Sequence, residues 1–88
     1  MKLKYEFTIR QIMDEYVVIP AGESAIAVSG MIVTNDVGAL LWEELKTDTT
    51  EEVLISRLLE EFDTDAATAK QDVAEFIANL HKLELLEE

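Results

Sequence analysis

Residues 32–45 read Ile32-Val33-Thr34-Asn35-Asp36-Val37-Gly38-Ala39-Leu40-Leu41-Trp42-Glu43-Glu44-Leu45, and the apolar period changes within them. Up to Val33 the side chains alternate. Beyond Asp36, Val37, Leu40, Leu41 and Leu45 fall at helical spacing, and Trp42 broadens the stripe. Thr34, Asn35 and Asp36 are each able to cap that helix, because a short side-chain oxygen can accept from the orphan amides of a first turn. The switch of period divides the chain into a strand region followed by a helical region.

Upstream, Tyr5, Phe7 and Ile9 alternate with Glu6, Thr8 and Arg10, the pattern of a strand with one apolar face. Ile12 and Met13 lead to a polar turn at Asp14-Glu15. Tyr16-Val17-Val18-Ile19 is a second strand, ended by Pro20, which has no amide for a ladder. After the turn Ala21-Gly22-Glu23-Ser24, a third strand is expected over Ala25–Val33, with Ile26, Val28 and Ile32 on one face and Ala27, Ser29, Met31 and Val33 on the other. Gly30 inside it suggests a bulge or a close backbone approach.

Downstream, Lys46 suits the end of the first helix, where a cation meets unsatisfied carbonyls. Thr49 and Glu52 have capping-box spacing, so a second helix is expected from there to about Glu61, with Leu54, Leu58, Ile55, Leu59 and Phe62 as its apolar lines. Asp63-Thr64-Asp65 caps a third helix from Ala66 to His81-Lys82, whose stripe is Ala69, Val73, Phe76, Ile77 and Leu80. Leu85-Leu86 is too apolar for a free tail and is expected to return to the core. The class is α+β: a three-stranded N-terminal antiparallel sheet followed by three helices, packed as two layers in one domain over 1–88. A chain of 88 residues holds a single modest core.

Charge and composition remove several functions. The formal charge is −12, with net −1 over residues 1–35 and net −11 over residues 36–88, a surface that repels phosphate backbones. No cysteine is present, so disulfides and thiolate metal sites are excluded. No signal-like or bilayer-spanning apolar run occurs, which makes a cytoplasmic protein with no membrane partner the expectation. The lone His81 reads as a helix-end residue and has no cysteine to share a zinc ion. Asp63, Asp65 and Asp72 lack the glycine and the distal glutamate of a calcium loop. Glu43-Glu44, Glu51-Glu52 and Glu60-Glu61 are adjacent helical residues that point about 100° apart and cannot form an acid and base couple. Gly22, Gly30 and Gly38 are isolated, so no phosphate loop exists. The expectation is a non-catalytic protein with no cofactor and no metal.

One stretch has the character of a binding device. Ser24 to Asn35 carries no charge and no proline, with small side chains at Ala25, Ala27 and Ser29. It is either a central strand with buried neighbours or an edge open to an added strand from a peptide.

Tyr16-Val17-Val18-Ile19-Pro20, the 32–45 stretch, Thr50-Glu51-Glu52 with Leu58, Leu59, Glu61 and Phe62, and Asp72-Val73 with Phe76, Ile77 and Leu80 together resemble the PqqD-like family. These are pyrroloquinoline-quinone biosynthesis protein D and the leader-peptide-binding chaperones also called RiPP recognition elements. The resemblance spans residues 5–87, and Asn35, Gly38, Ala39 and Trp42 are its most specific part. It implies a winged-helix-like fold. It also implies that a precursor's leader peptide adds as a strand beside strand three and is presented to a modifying enzyme, often a radical SAM maturase. Carried onto this chain, the groove would use Ile26, Ala27, Val28, Ser29, Gly30 and Met31, facing Ala69, Lys70, Val73 and Phe76. Asn35, Gly38 and Trp42 would cap, pack closely and anchor the core. Where the family has a glycine after its last helix, this chain has Leu83-Glu84-Leu85, so either the helix runs on or the turn forms without glycine. The alternatives are a winged-helix DNA-binding regulator, disfavoured by charge, and a structural or assembly subunit whose open strand pairs with another protein or with itself in a homodimer.

Overall fold

The computed structural model describes residues 1–22 and 30–87. Among the described residues five short strands and three helices follow one another: β1 (Lys2–Leu3), β2 (Phe7–Ile12), β3 (Glu15–Pro20), β4 (Ile32–Thr34), α1 (Asp36–Glu44), α2 (Glu51–Glu61), α3 (Ala66–Lys82) and β5 (Leu86–Glu87). The architecture is α+β with a winged-helix-like topology. β2, β3 and β4 form an antiparallel sheet in that order, and β1 pairs with β5 in a separate antiparallel ribbon.

The β2–β3 hairpin pairs Phe7 with Pro20 through to Ile12 with Glu15, so its turn is Met13-Asp14, one residue earlier than the polar pair suggests. Met13 takes a positive φ of 58° there. Ile9, Val18 and Ile32 lie side by side across the three strands, and Phe7 and Val18 are buried on that face against the helices. The third strand differs from expectation in its described part. Gly30 has φ 83° and forms a bend, Met31 is outside the ladder, and the strand is Ile32–Thr34. The left-handed turn at Gly30 breaks the extended run that the alternation proposes. Ile26, Ala27, Val28 and Ser29 lie outside the described residues.

Each of the three described helices begins on a side-chain cap. Asn35 Oδ1 accepts from the Gly38 amide at 2.9 Å, Thr50 Oγ1 from Val53 at 3.3 Å and Asp65 Oδ1 from Thr68 at 2.7 Å. The α2 cap is thus Thr50 and not Thr49, whose amide donates to the Met1 carbonyl and whose carbonyl accepts from the Met1 amino group. Lys46 stands beyond the last turn of α1 and pairs with Glu43 at 3.2 Å. Arg57 gathers Glu44, Glu60 and Glu61 at 2.6, 3.0 and 3.2 Å, and those carboxylates raise its pKa further above the arginine range.

The core is one cluster in which Leu41, Leu45, Leu54, Leu58, Val18 and Val73 have almost no exposure. Leu85 and Leu86 return to it, as their apolarity requires. The return runs through Glu84 at φ 58°: the Leu85 amide donates to Leu80 O and the Glu84 amide to His81 O, both at 3.0 Å. This is the left-handed helix stop usually given to glycine, here made by glutamate. β5 then meets β1, while Leu3 N donates to Leu45 O and Lys4 N to Leu85 O, which ties the first residues to the ends of α1 and α3.

Candidate functional site

β4 is the edge of its sheet among the described residues. One side of Ile32–Thr34 is paired with Val18–Tyr16 of β3, and no described strand pairs with the other. Beside that outer side runs the C-terminal half of α3. Between them lies a groove of about 440 Å³, walled by Ile32, Val33 and Thr34 on the strand and by Phe76, Asn79, Leu80 and Leu83 on the helix. Trp42, 2% exposed, closes its base, and Lys82 is the one charged lining residue among the described residues. In a chain of charge −12, a slot whose described lining is uncharged but for one ammonium group is a local exception.

Three residues hold the groove in shape. Asn35 caps α1 immediately after β4, fixing the angle between strand and helix. Gly38 lies against Thr34: a Cβ there would collide with Thr34 Oγ1 and come within 3.1 Å of its Cβ. Only a residue without a side chain lets the first turn of α1 approach the strand so closely. Trp42 packs edge-on against Phe7, with 5.0 Å between ring centroids, and against Phe76, at 5.8 Å. The indole thereby connects sheet, core and groove wall.

The residues named from the sequence fall into distinct places. Phe76 lines the groove, half-buried. Ala69 and Val73 are 0% exposed and belong to the core, so they seat α3 and have no surface to offer a peptide. Lys70 is exposed on α3 but outside the groove lining. Met31, 66% exposed, and Gly30 precede β4. Val33, Asn79, Lys82 and Leu83 line the groove although the sequence does not assign them to it. The available signal was helical spacing: Asn79, Leu80 and Leu83 continue the line of Phe76 by steps of three and four, next to the buried Ala69–Val73–Ile77–Leu80 line.

Among the described residues no group of three His, Cys, Asp or Glu side chains could hold a metal ion. No described helix is long and apolar enough to cross a membrane.

Residues 12–86 match the family described as Coenzyme PQQ synthesis protein D (PqqD). The chain belongs to the PqqD family. The match starts at the tip of the β2–β3 hairpin and ends in β5, so it includes both walls of the groove. No curated protein matches the chain. A solved structure of TbiB1 in complex with the TbiA(beta) leader peptide is similar in fold, with a TM-score of 0.71 and 24% identity over 99% of this chain and 95% of that one. The fold shared with TbiB1 extends over 99% of this chain, beyond the family match, which leaves out β1.

Proposed function

We propose that this PqqD-family chain binds the leader of a ribosomally made precursor peptide by strand addition to β4 and presents it to a modifying enzyme, without catalysing a reaction itself. The observation that carries the reading is the open outer side of β4 facing an apolar groove on α3. Membership of the PqqD family supports it, as does the fold shared with TbiB1, which was solved with a leader peptide. The modifying enzyme is proposed to be a radical SAM maturase, on the family likeness alone. The proposed contacts are Ile32 and Val33 with Phe76, Lys82 and Leu83. The uncharged residues Ile26, Ala27, Val28, Ser29, Gly30 and Met31, with Lys70, are kept as a proposed extension of that contact.

Magnitudes indicate which part of the groove selects the peptide. A micromolar complex needs about 8 kcal/mol. Alternate residues of a three-residue edge offer roughly two outward hydrogen bonds, each worth about 1 kcal/mol net. Burying one large apolar side chain adds about 1.5–3 kcal/mol. Most of the affinity must then come from apolar side chains of the leader seated on Phe76 and Leu83, with the backbone pairing setting register.

Isothermal titration with the leader of a precursor encoded beside this chain tests the proposal. Saturable binding is expected, and binding should be lost when the leader's apolar residues are changed to serine. Absence of heat both with and without the maturase would overturn the reading. Retention of upstream DNA at low salt would instead support the regulator.

A further inference from the structure

A second cleft, of about 500 Å³, lies between the β2–β3 hairpin and the ends of α1 and α2. Its floor is apolar and half-buried, formed by Ile9, Leu40 and Phe62, and its rim carries Asp36, Glu43 and Glu61. Leu40 and Trp42 are two residues apart on α1, about 200° around the helix. The cleft therefore opens on the opposite side of α1 from the β4–α3 groove, and both can be filled at once.

The rim is underneutralised. Glu43 has Lys46, and Glu61 shares Arg57 with Glu44 and Glu60, so two cations serve four carboxylates. Asp36 accepts from the Val37 amide and has no ion pair among the described residues. Such surface pairs are weak and exchangeable, so an incoming ammonium or guanidinium group gains attraction at little cost. An apolar floor inside an anionic rim selects a bulky apolar side chain flanked by basic ones. A second copy of this chain fits poorly, since it brings a charge of −12 of its own.

The geometry points to this cleft as a docking site for a partner protein, filled by a segment that carries Phe or Leu between Lys or Arg residues. It lets the chain hold a peptide on one side of α1 and a second protein on the other. It does not depend on what occupies the β4–α3 groove.

The probe is a blocked peptide with Lys-Lys-Phe-Leu-Lys-Lys at its centre, titrated into the ¹⁵N-labelled full chain. Two controls replace Phe-Leu by Ser-Ser and every Lys by Glu. Saturable amide shifts are expected at Ile9, Leu40 and Phe62 with the first peptide and with neither control. Glu43→Lys should weaken binding about two- to fivefold, the scale of one exposed charge pair, while Glu51→Lys on the outer face of α2 should leave it unchanged. Both positions are exposed, so both variants keep the fold. Equal weakening by the two variants would overturn the proposal, because it would show general attraction to an acidic surface. Shifts confined to Val33, Phe76 and Leu83 would also overturn it, by placing the peptide in the other groove.

Discussion

Trp42 and Phe76 meet edge to face, with 5.8 Å between ring centroids and 87° between ring planes. The contact joins a buried residue of α1 to the helical wall of the β4–α3 groove, so anything that displaces the Phe76 ring changes the surroundings of the chain's single tryptophan.

Leader binding should therefore be visible as a change in tryptophan emission, without a label. Phe76→Ala should weaken leader binding about tenfold or more, since it removes most of a large apolar contact. Lys70→Ala, outside the groove lining, should weaken binding less than Phe76→Ala does, by at most about fivefold on the scale of one exposed charge. Titration of both variants, followed by fluorescence, decides between a groove centred on Phe76 and one displaced toward the start of α3.

Gly38→Ala should destabilise the fold. The added methyl collides with Thr34 Oγ1. Overpacking of this kind costs about 1–3 kcal/mol, against a helix-propensity gain of at most about 1 kcal/mol. A net loss of about 1–2 kcal/mol is expected in urea unfolding. Thr34→Ala in the same chain should recover part of it, and full additivity of the two losses would contradict the collision.

Glu84→Gly should stabilise the chain. A non-glycine residue at positive φ costs about 1–2 kcal/mol, and the added freedom of glycine in the unfolded chain takes back about 0.4–1 kcal/mol. The balance is a gain of about 0.5–1 kcal/mol, or a few degrees in a thermal melt of a domain this size. A lower melting temperature would show that the Glu84 side chain makes a compensating contact.

Acid should loosen α3 first at its cap. Hydrogen bonds from the backbone and side chain of Thr68 to Asp65 lower its pKa from the usual 3.8. A carboxyl with a depressed folded-state pKa contributes stability that is complete above its unfolded value and lost as pH falls through the folded one. Asn at the same position caps without titrating. Between about pH 5 and pH 2, the melting temperature of the parent should fall more steeply than that of Asp65→Asn, while parallel curves would deny Asp65 the role.

The change of apolar period at Thr34-Asn35 and the two later polar breaks, at Thr50 and Asp65, fix where the helices lie, because caps and stripes are local properties of the chain. α3 reads from Ala66 to Lys82 in sequence and structure alike. The β1–β5 ribbon does not read, since two residues per strand carry no period and the partners are more than eighty residues apart. The groove is half legible. Its strand wall announces itself by lack of charge, and the family likeness points to α3, but which turn of α3 faces it depends on how the helix is rotated in the core. Ala69 and Val73 go inward at 0% exposure, which leaves Phe76, Asn79 and Leu83 for the groove.

The close approach of Gly38 to Thr34 has a further thermodynamic meaning. With strand end and helix start locked in one corner, β4 cannot hinge away from the core, and the slot beside it exists before any guest arrives. The host loses little freedom on association, so the ordering entropy falls almost wholly on the incoming chain. Affinity should then respond more to stiffening the guest, by proline or cyclisation, than to stiffening the host.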